Sequence, residues 1–501
     1  MRTLIALLGV CAGAAPLDVG GRRQLFLDER FVLQPRGVEF VVHQPRKTGE
    51  VSIPSDEAWP LGGYHSMLYE AGVYHMWYTA RTSICYARSF DGIHWERPRL
   101  GLTAINGSTA NNVVIGYGAG GVKGGTHGVM VFLDPKAPRE ERFRLAANPP
   151  EFKRMLQLFS SPDGIHWKHS HRDILVYDEN RKPHHLDTLN VIFFDDRLGK
   201  YVAYVRRSTL ERGRGVGRAE SDTLRFGAIE QNVRPVFDGE AFPVRRGGKL
   251  LVDVYTNNAL KYPWAQDAYF LFPAMYYHYG PHLAEFRNES PTNAGVLDAR
   301  FAAGRDGIVW NTYDGRPFVP VGVQGEFDAR RIYMVYGLAP SLDGREMYMY
   351  YLGTNDTHGW ERDDRNNRLL TAAGVAPQPL RRAISRVTLR RDGFVSLRAG
   401  RAAGEFVTPP LRMEGKQLVL NVDTSALGEV QVEIQDESGA PLAGFSLAES
   451  DIIHSANDIN RTVTWKGSSD VSALAGKPIR LRFLLHDADL YAFQFRERPS
   501  I

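Results

Sequence analysis

Cysteine is almost missing from this chain, which has two among 501 residues, Cys11 and Cys85. No disulfide framework is possible on that count, so the fold must rest on apolar burial. Charge of one sign is also lacking. The 61 basic residues face 57 acidic ones, for a net charge of +4, and no Lys/Arg run stands out. A nucleic-acid footprint needs clustered basic residues, so that class of partner is set aside. Long hydrophobic runs are missing too. No stretch approaches the ~20 apolar residues of a membrane-spanning helix, and no membrane span is expected. Helical periodicity is scarce, with few segments holding a three-to-four residue apolar repeat over three turns.

Aromatic residues, at 11%, and 49 glycines are plentiful. The N-terminus has the form of a secretory leader. Met1-Arg2-Thr3 is a short basic start, Leu4 to Val10 is apolar, and Ala12-Gly13-Ala14-Ala15 offers a small-residue cleavage site. Residues 1–15 are therefore read as a signal peptide, and the mature protein as secreted or periplasmic. Cleavage leaves Cys85 alone.

Short strand-like runs fill the next 350 or so residues, among them Tyr74-His75-Met76-Trp77-Tyr78, Tyr201 to Val205 and Met347 to Tyr351. A repeat organises them. Ser89-Phe90-Asp91-Gly92-Ile93-His94-Trp95 returns as Ser161-Pro162-Asp163-Gly164-Ile165-His166-Trp167. Weaker copies are Ser221 to Phe226 and Arg305-Asp306-Gly307-Ile308-Val309-Trp310. Asp-Gly suits a tight turn because glycine reaches positive φ without steric cost. Each copy sits among hairpin strands, so the unit reads as a propeller blade, and its Trp as a structural residue packed between sheets. A further hairpin, Arg331 to Val335 with Met347 to Tyr351, brings the expected number to five blades over residues 20–371. An Ala/Gly/Pro-rich boundary follows at Ala372 to Pro379. Beyond it, alternating runs such as Gln417 to Val422, Val430 to Ile434 and Ile479 to Leu485 predict an antiparallel β-sandwich over 380–498. The fold class is all-β, a five-bladed β-propeller followed by that sandwich.

This order of domains, with the hairpin Tyr69 to Tyr78 and the turn from Tyr86-Ala87-Arg88-Ser89 to Trp95, resembles the clan of glycoside hydrolase families 32 and 43. The resemblance implies hydrolysis of a glycosidic bond in a plant, algal or microbial polysaccharide or oligosaccharide. It also implies a catalytic Asp at the start of the innermost strand of blade one. This chain departs there: the stretch reads Leu61-Gly62-Gly63-Tyr64-His65-Ser66, with no carboxylate.

Innermost propeller strands point their first residues at the central pocket. On that logic blade one offers Tyr64 and His65, and blade two offers His127. Blade three offers Asp187 and Asn190, with Arg206 and Arg207 after its second strand. Blade four offers Trp264, Asp267 and Tyr269, and blade five Glu326, Asp328 and Arg330. Glycoside cleavage needs two carboxyl groups, so Asp187, Asp267, Glu326 and Asp328 are the catalytic candidates. His65, His127, Asp187 and Asp267 are expected to converge at one mouth. Tyr64, His65, His127, Asn190, Arg206, Arg207, Trp264, Tyr269 and Arg330 are read as substrate-binding, with the arginines suited to an anionic sugar. His184 and His185 also lie near strand starts, but no compact ligand spacing supports a metal, and no cofactor is expected. Two other classes stay open: a polysaccharide lyase using His, Tyr and Arg on an acidic glycan, and a non-catalytic sugar-binding propeller.

Overall fold

The computed structural model describes residues 15–497, apart from 57–58, 82, 106, 117–126, 149–154, 178–185, 210–212, 247, 266, 279–294 and 359–378. The leader residues, His184 and His185 fall outside that set, and for His127 only the backbone is described. Two units emerge. One holds Val42–Tyr262 and Asp267–Arg391; the other holds the described chain up to Val41, Pro263–Gln266 and everything from Asp392 onward.

The larger unit is a propeller-like arrangement of antiparallel sheets. The first sheet runs Ser66–Glu70, Val73–Ala80, Ser83–Ser89, Val113–Ile115. The second runs His127–Leu133, Phe143–Asn148, Met155–Ser161, Lys168–Val176, with Gly227–Ala228 added in parallel at its edge. The third is Val191–Asp195, Lys200–Thr209, Gly213–Ser221, Arg234–Phe237. The strands are nearly continuous apolar runs because both faces of each sheet are covered by neighbouring sheets. Met67, Met76, Tyr74 and Trp77 have no measurable exposure.

Five separate blades were expected, and the structure differs after the third. The next hairpin is long and breaks at Asn257-Asn258, where Asn258 takes φ +45°. Asn257 donates to the Tyr204 carbonyl at 3.2 Å, and Asn258 to the Met334 carbonyl at 2.6 Å. These amides satisfy backbone acceptors of flanking strands and interrupt their own ladder. Past the break, Leu260–Lys261, Tyr269–Leu271, Ala302–Gly304 and Asn311–Thr312 make a fourth four-stranded sheet. Before it, Val252–Thr256, Ala274–His278 and Gly295–Ala299 run on into the last hairpin strands, Arg331–Met334 and Glu346–Thr354, through one parallel pair, Leu297 with Arg331. Four sheets of four or five strands thus stand beside one of eight.

That eight-stranded sheet joins the two ends of the unit. Arg382–Arg390 pairs with Glu346–Thr354 on one side and with the N-terminal strand Arg46–Pro54 on the other. The textural boundary near 380 therefore precedes the structural one, which falls after Arg391.

The smaller unit is the sandwich, mostly antiparallel, with Leu17–Gly20 parallel to Leu411–Met413. Two 19-residue strands, Gln417–Gln435 and Pro478–Arg496, pair along most of their length, from Gln417 opposite Arg496 to Gln435 opposite Arg480, with a break between Thr424 and Glu429. Alternation places Leu418, Leu420, Val422, Val430, Val432, Ile434, Leu481, Phe483 and Leu485 on the buried face.

Candidate active site

The inner strands of the propeller unit start at one end of their sheets, and polar side chains gather there. Tyr255 is the centre. It stands on Val252–Thr256 at a register shift between Val254 and Thr256, and Arg214 reaches both it and Asp253. The Tyr255 hydroxyl lies 2.7 Å from Nε2 of His358, and Nδ1 of that ring lies 3.2 Å from the Tyr276 hydroxyl. With its proton on Nδ1, His358 donates to Tyr276 and accepts from Tyr255. Backbone bonds in both directions between His358 and Gly295, at 2.9 and 3.3 Å, hold the imidazole in place.

Two arginines flank the same phenol. The Arg206 guanidinium carbon lies 4.9 Å from the Tyr255 ring centroid, and Arg214's lies 5.4 Å from the centroids of both Tyr255 and Tyr276. Arg206 also donates to the Tyr255 carbonyl at 3.0 Å. Asp253 fixes the second arginine. Its Oδ2 accepts from Arg214 at 3.0 Å and lies 3.2 Å from His278 Nε2, while its Oδ1 is buried without a hydrogen-bond partner. Burial pushes the Asp253 pKa up. The His278 hydrogen bond and the Arg214 charge outweigh it and hold the carboxyl below its usual range.

Asp187 and Tyr64 complete the group. Tyr64 is buried, with its ring stacked 6.5 Å from Tyr255 and edge-on to Tyr333 at 6.2 Å. Its phenol is raised well above the ordinary value, first by burial, then by Tyr255 and the Asp187 charge, against the opposing pull of Arg206. The turn carrying Asp187 is shaped by Asn190, which is buried. Its amide donates to the carbonyls of Leu186 and Thr188 at 2.7 and 3.2 Å, and its oxygen accepts from the Arg206 amide. Thr188 donates to the Tyr255 carbonyl at 2.6 Å. Asn190 is thus a positioning residue.

Of the residues expected at this mouth, Tyr64, Asp187, Asn190 and Arg206 are there. The other expected residues whose side chains are described lie elsewhere, and His127 falls outside that set. His65 is 1% exposed and turned into the first sheet, where Nδ1 accepts from the Thr79 amide at 3.2 Å. Burial drives its pKa down to about 3, so it is a neutral core residue. Arg207 follows Arg206 on a strand and so points to the opposite face.

Asp267, Trp264 and Tyr269 lie at the far end of their hairpin. The strand expected to begin there is the return strand; the leading one is Val252–Thr256. Asp267 pairs with Arg197 at 3.8 Å, and Tyr269 donates to Asp195 at 2.6 Å, both partners at the trailing end of the third sheet's first strand. Asp328 is 2% exposed, held by Lys47 at 2.6 Å and by the Tyr351 hydroxyl at 2.9 Å. Glu326 is exposed and accepts from the Val323 amide in its own turn. Arg330 donates to Gln324 at 2.7 Å.

Sequence reasoning missed Arg214, Asp253, Tyr255, Tyr276, His278 and His358. The one available signal was Val252-Asp253-Val254-Tyr255, in which polar residues alternate inside an apolar strand. Nothing local marks His358, which reaches the site through the fold alone.

No family model and no curated protein matches the chain. Solved structures do, at low identity. A thermostable family-43 glycoside hydrolase is 12% identical with a TM-score of 0.40, covering 71% of this chain and 96% of its own. An endo-arabinase from Bacteroides thetaiotaomicron VPI-5482 is 12% identical, with a TM-score of 0.40 and coverages of 67% and 96%. An N-acetylgalactosamine deacetylase from F. plautii, in complex with blood group B trisaccharide, is 13% identical, with a TM-score of 0.43 and coverages of 72% and 97%. The structural neighbours are thus largely glycoside hydrolases by name. These likenesses carry no argument about chemistry, which has to come from the site.

Proposed function

We propose that this chain is a glycoside hydrolase that cleaves a glycan carrying an anionic sugar at the Tyr255 mouth. The observation that supports this reading is the Tyr255–His358 contact at 2.7 Å between the Arg206 and Arg214 guanidiniums. Glycosidic cleavage needs one group to protonate the leaving oxygen and another to receive or stabilise the anomeric carbon. In this proposal Asp187 is the acid. Tyr255 is the group opposite: its oxygen bonds the anomeric carbon, its proton passes to His358, and the leaving alcohol departs with the Asp187 proton, a tyrosine role known among glycosidases. A water then gives its proton to Asp187 and its oxygen to that carbon, and the released Tyr255 takes its proton back from His358. Arg206 and Arg214 bind the sugar's anionic substituent in a bidentate manner, and Asp253 positions Arg214.

The same phenol–imidazole pair favours a second reading. A uronate can be cleaved by elimination when a base removes the proton beside its carboxylate and cations neutralise the acid. Incubation with acidic oligosaccharides separates the two. New reducing ends without an ultraviolet-absorbing double bond mean hydrolysis, and new ends with it mean elimination. Tyr255→Phe should lower turnover roughly a hundredfold or more with an unchanged unfolding midpoint. Full activity in that variant would remove Tyr255 from the chemistry. Neither product, with sugar still bound, would make the propeller a binding protein.

The proposal includes export, argued from the leader-like residues 1–15. Mass spectrometry of the protein from its native host should find a mature N-terminus near Ala14 to Asp18. An intact Met1 in the cytoplasm would count against it.

A further inference from the structure

A second recess lies on the first sheet of the propeller unit, with a volume of about 200 Å³. Its floor is largely apolar: Ala80, the fully buried Cys85 and the ring of Tyr78, whose hydroxyl accepts from Asn112 at 2.7 Å. Trp59 forms one wall, and Asn111, Arg97 and Arg99 stand round the opening. Trp59 packs, partly buried, against a hydrophobic core cluster of the propeller unit, and the backbone around it is tied down. Its amide donates to Asp56 Oδ1 at 2.6 Å, the next turn is pinned by Leu61 N to Ser55 Oγ at 3.0 Å, and Arg81 N donates to the Pro60 carbonyl at 3.0 Å. An ordered indole loses little conformational entropy on binding. The two arginines are exposed, and Asp56 is 3.7 Å from Arg97. Among the described residues lining the opening, two guanidiniums thus face one carboxylate.

We propose that this recess binds a single pyranose ring bearing a carboxylate or sulfate ester, as a site separate from the Tyr255 mouth. The size fits one ring: ligand pockets for larger molecules run from roughly 300 Å³ upward. An indole wall matches the apolar C–H face of a sugar. A guanidinium pair above an apolar floor selects an anionic substituent by charge-assisted bonds. No lining residue belongs to the mouth, so the proposal does not depend on what happens there.

The test is site-specific. Protein labelled at tryptophan is titrated with glucuronate disaccharide, galactose sulfate and neutral lactose, and the Trp59 indole N–H resonance is followed, assigned through Trp59→Phe. Glucuronate or galactose sulfate should shift it at concentrations at least tenfold below those at which lactose does. Arg97→Gln with Arg99→Gln should weaken the response at least tenfold; both side chains are exposed, so the fold should hold. Arg97→Lys with Arg99→Lys should recover part of the response, and Tyr255→Phe should leave it intact. Response to uronate alone or to sulfate alone names the source of the anion and sustains the proposal. Equal response to lactose, no response to any sugar, or full response in the double glutamine variant overturns it. A response lost with Tyr255→Phe would assign the signal to the mouth and overturn it as well.

Discussion

A buried histidine and a paired aspartate show how environment decides what a polar side chain does. His65 occupies the strand start where an acid or base was expected, yet its ring has no water to share a charge with. Its pKa is lowered from 6.5 to about 3 by burial, against a smaller opposing contribution from the Gly62 backbone. The unfolded chain therefore binds a proton that the folded one refuses between about pH 6.5 and pH 3. The stabilisation from neutral His65 is full above pH 6.5 and lost as pH falls through that window. Urea unfolding at stepped pH should show it, with His65→Gln flattening the curve between pH 6 and 4; an unchanged slope would place the proton uptake elsewhere. Asp267 carries the opposite lesson. Paired with Arg197 at the trailing end of a hairpin and a quarter exposed, it makes a surface ion pair worth about 0–1 kcal/mol. Asp267→Asn should leave turnover within about twofold and stability within about 1 kcal/mol of wild type. A hundredfold loss of turnover would restore it to the site. The places of Asp187, ahead of Val191–Asp195, and of Arg206, within Lys200–Thr209, were legible because pattern alone locates those two strands. Asp267 was misread because a hairpin's return strand has the same pattern as its leading strand, and only pairing tells them apart.

The repeated Ser-x-Asp-Gly turn was legible for a different reason: one geometry is used several times. In two copies the Ser hydroxyl accepts from the Gly amide, Ser89 from Gly92 at 2.8 Å and Ser161 from Gly164 at 2.9 Å. The Asp carboxylate accepts from the next two amides in both. The shared function of the turn was not legible. Each glycine carbonyl accepts from an aromatic residue on another sheet: Gly92 from Tyr350 at 2.6 Å, Gly164 from Trp77 at 2.7 Å, and Gly307 from Tyr204 at 2.8 Å. The turns are stitches between sheets, and the Trp residues expected to pack there do so, Trp95 edge-on to Tyr350 and Trp167 edge-on to Trp77. Glycine is required twice over at Gly164. Its φ is +76°, and an added Cβ would stand 2.6 Å from the Trp77 ring. At Gly199, φ is +67° with nothing within 4 Å. Backbone strain alone costs about 1–2 kcal/mol, so Gly199→Ala should lose about that much and Gly164→Ala about 3 kcal/mol or more, since the stitch must also open. Equal losses in urea unfolding would mean that the Trp77 contact contributes nothing.

The order of elements along the chain misleads about which residues fold together. Read linearly, a propeller precedes a sandwich, and the sequence pattern supports that division. The first described segment nevertheless belongs with the last one. Leu17–Gly20 lies parallel to Leu411–Met413, Gln24 and Leu25 pair with Phe493 and Ala492, and Leu33–Arg36 pairs with Gly404–Val407. Phe26 and Phe31 are fully buried among Phe406, Phe483 and Phe493, with Phe26 5.5 Å from Phe406 and Phe31 5.3 Å from Phe493. Short strands far from their partners in sequence leave no trace in local pattern, because the pairing that defines them is set by the closed core. Burying two phenylalanines is worth about 3–6 kcal/mol, a large share of the roughly 5–15 kcal/mol that holds a domain together. A fragment of residues 392–497 should therefore fold poorly by itself, with a broad, early urea transition. Joining residues 17–41 to its N-terminus through a flexible Gly/Ser linker should restore a cooperative transition, and Phe26→Ala in that joined fragment should cost about 3–5 kcal/mol. If the bare fragment unfolds at the same midpoint as the joined one, the N-terminal segment only decorates a sandwich that is complete without it.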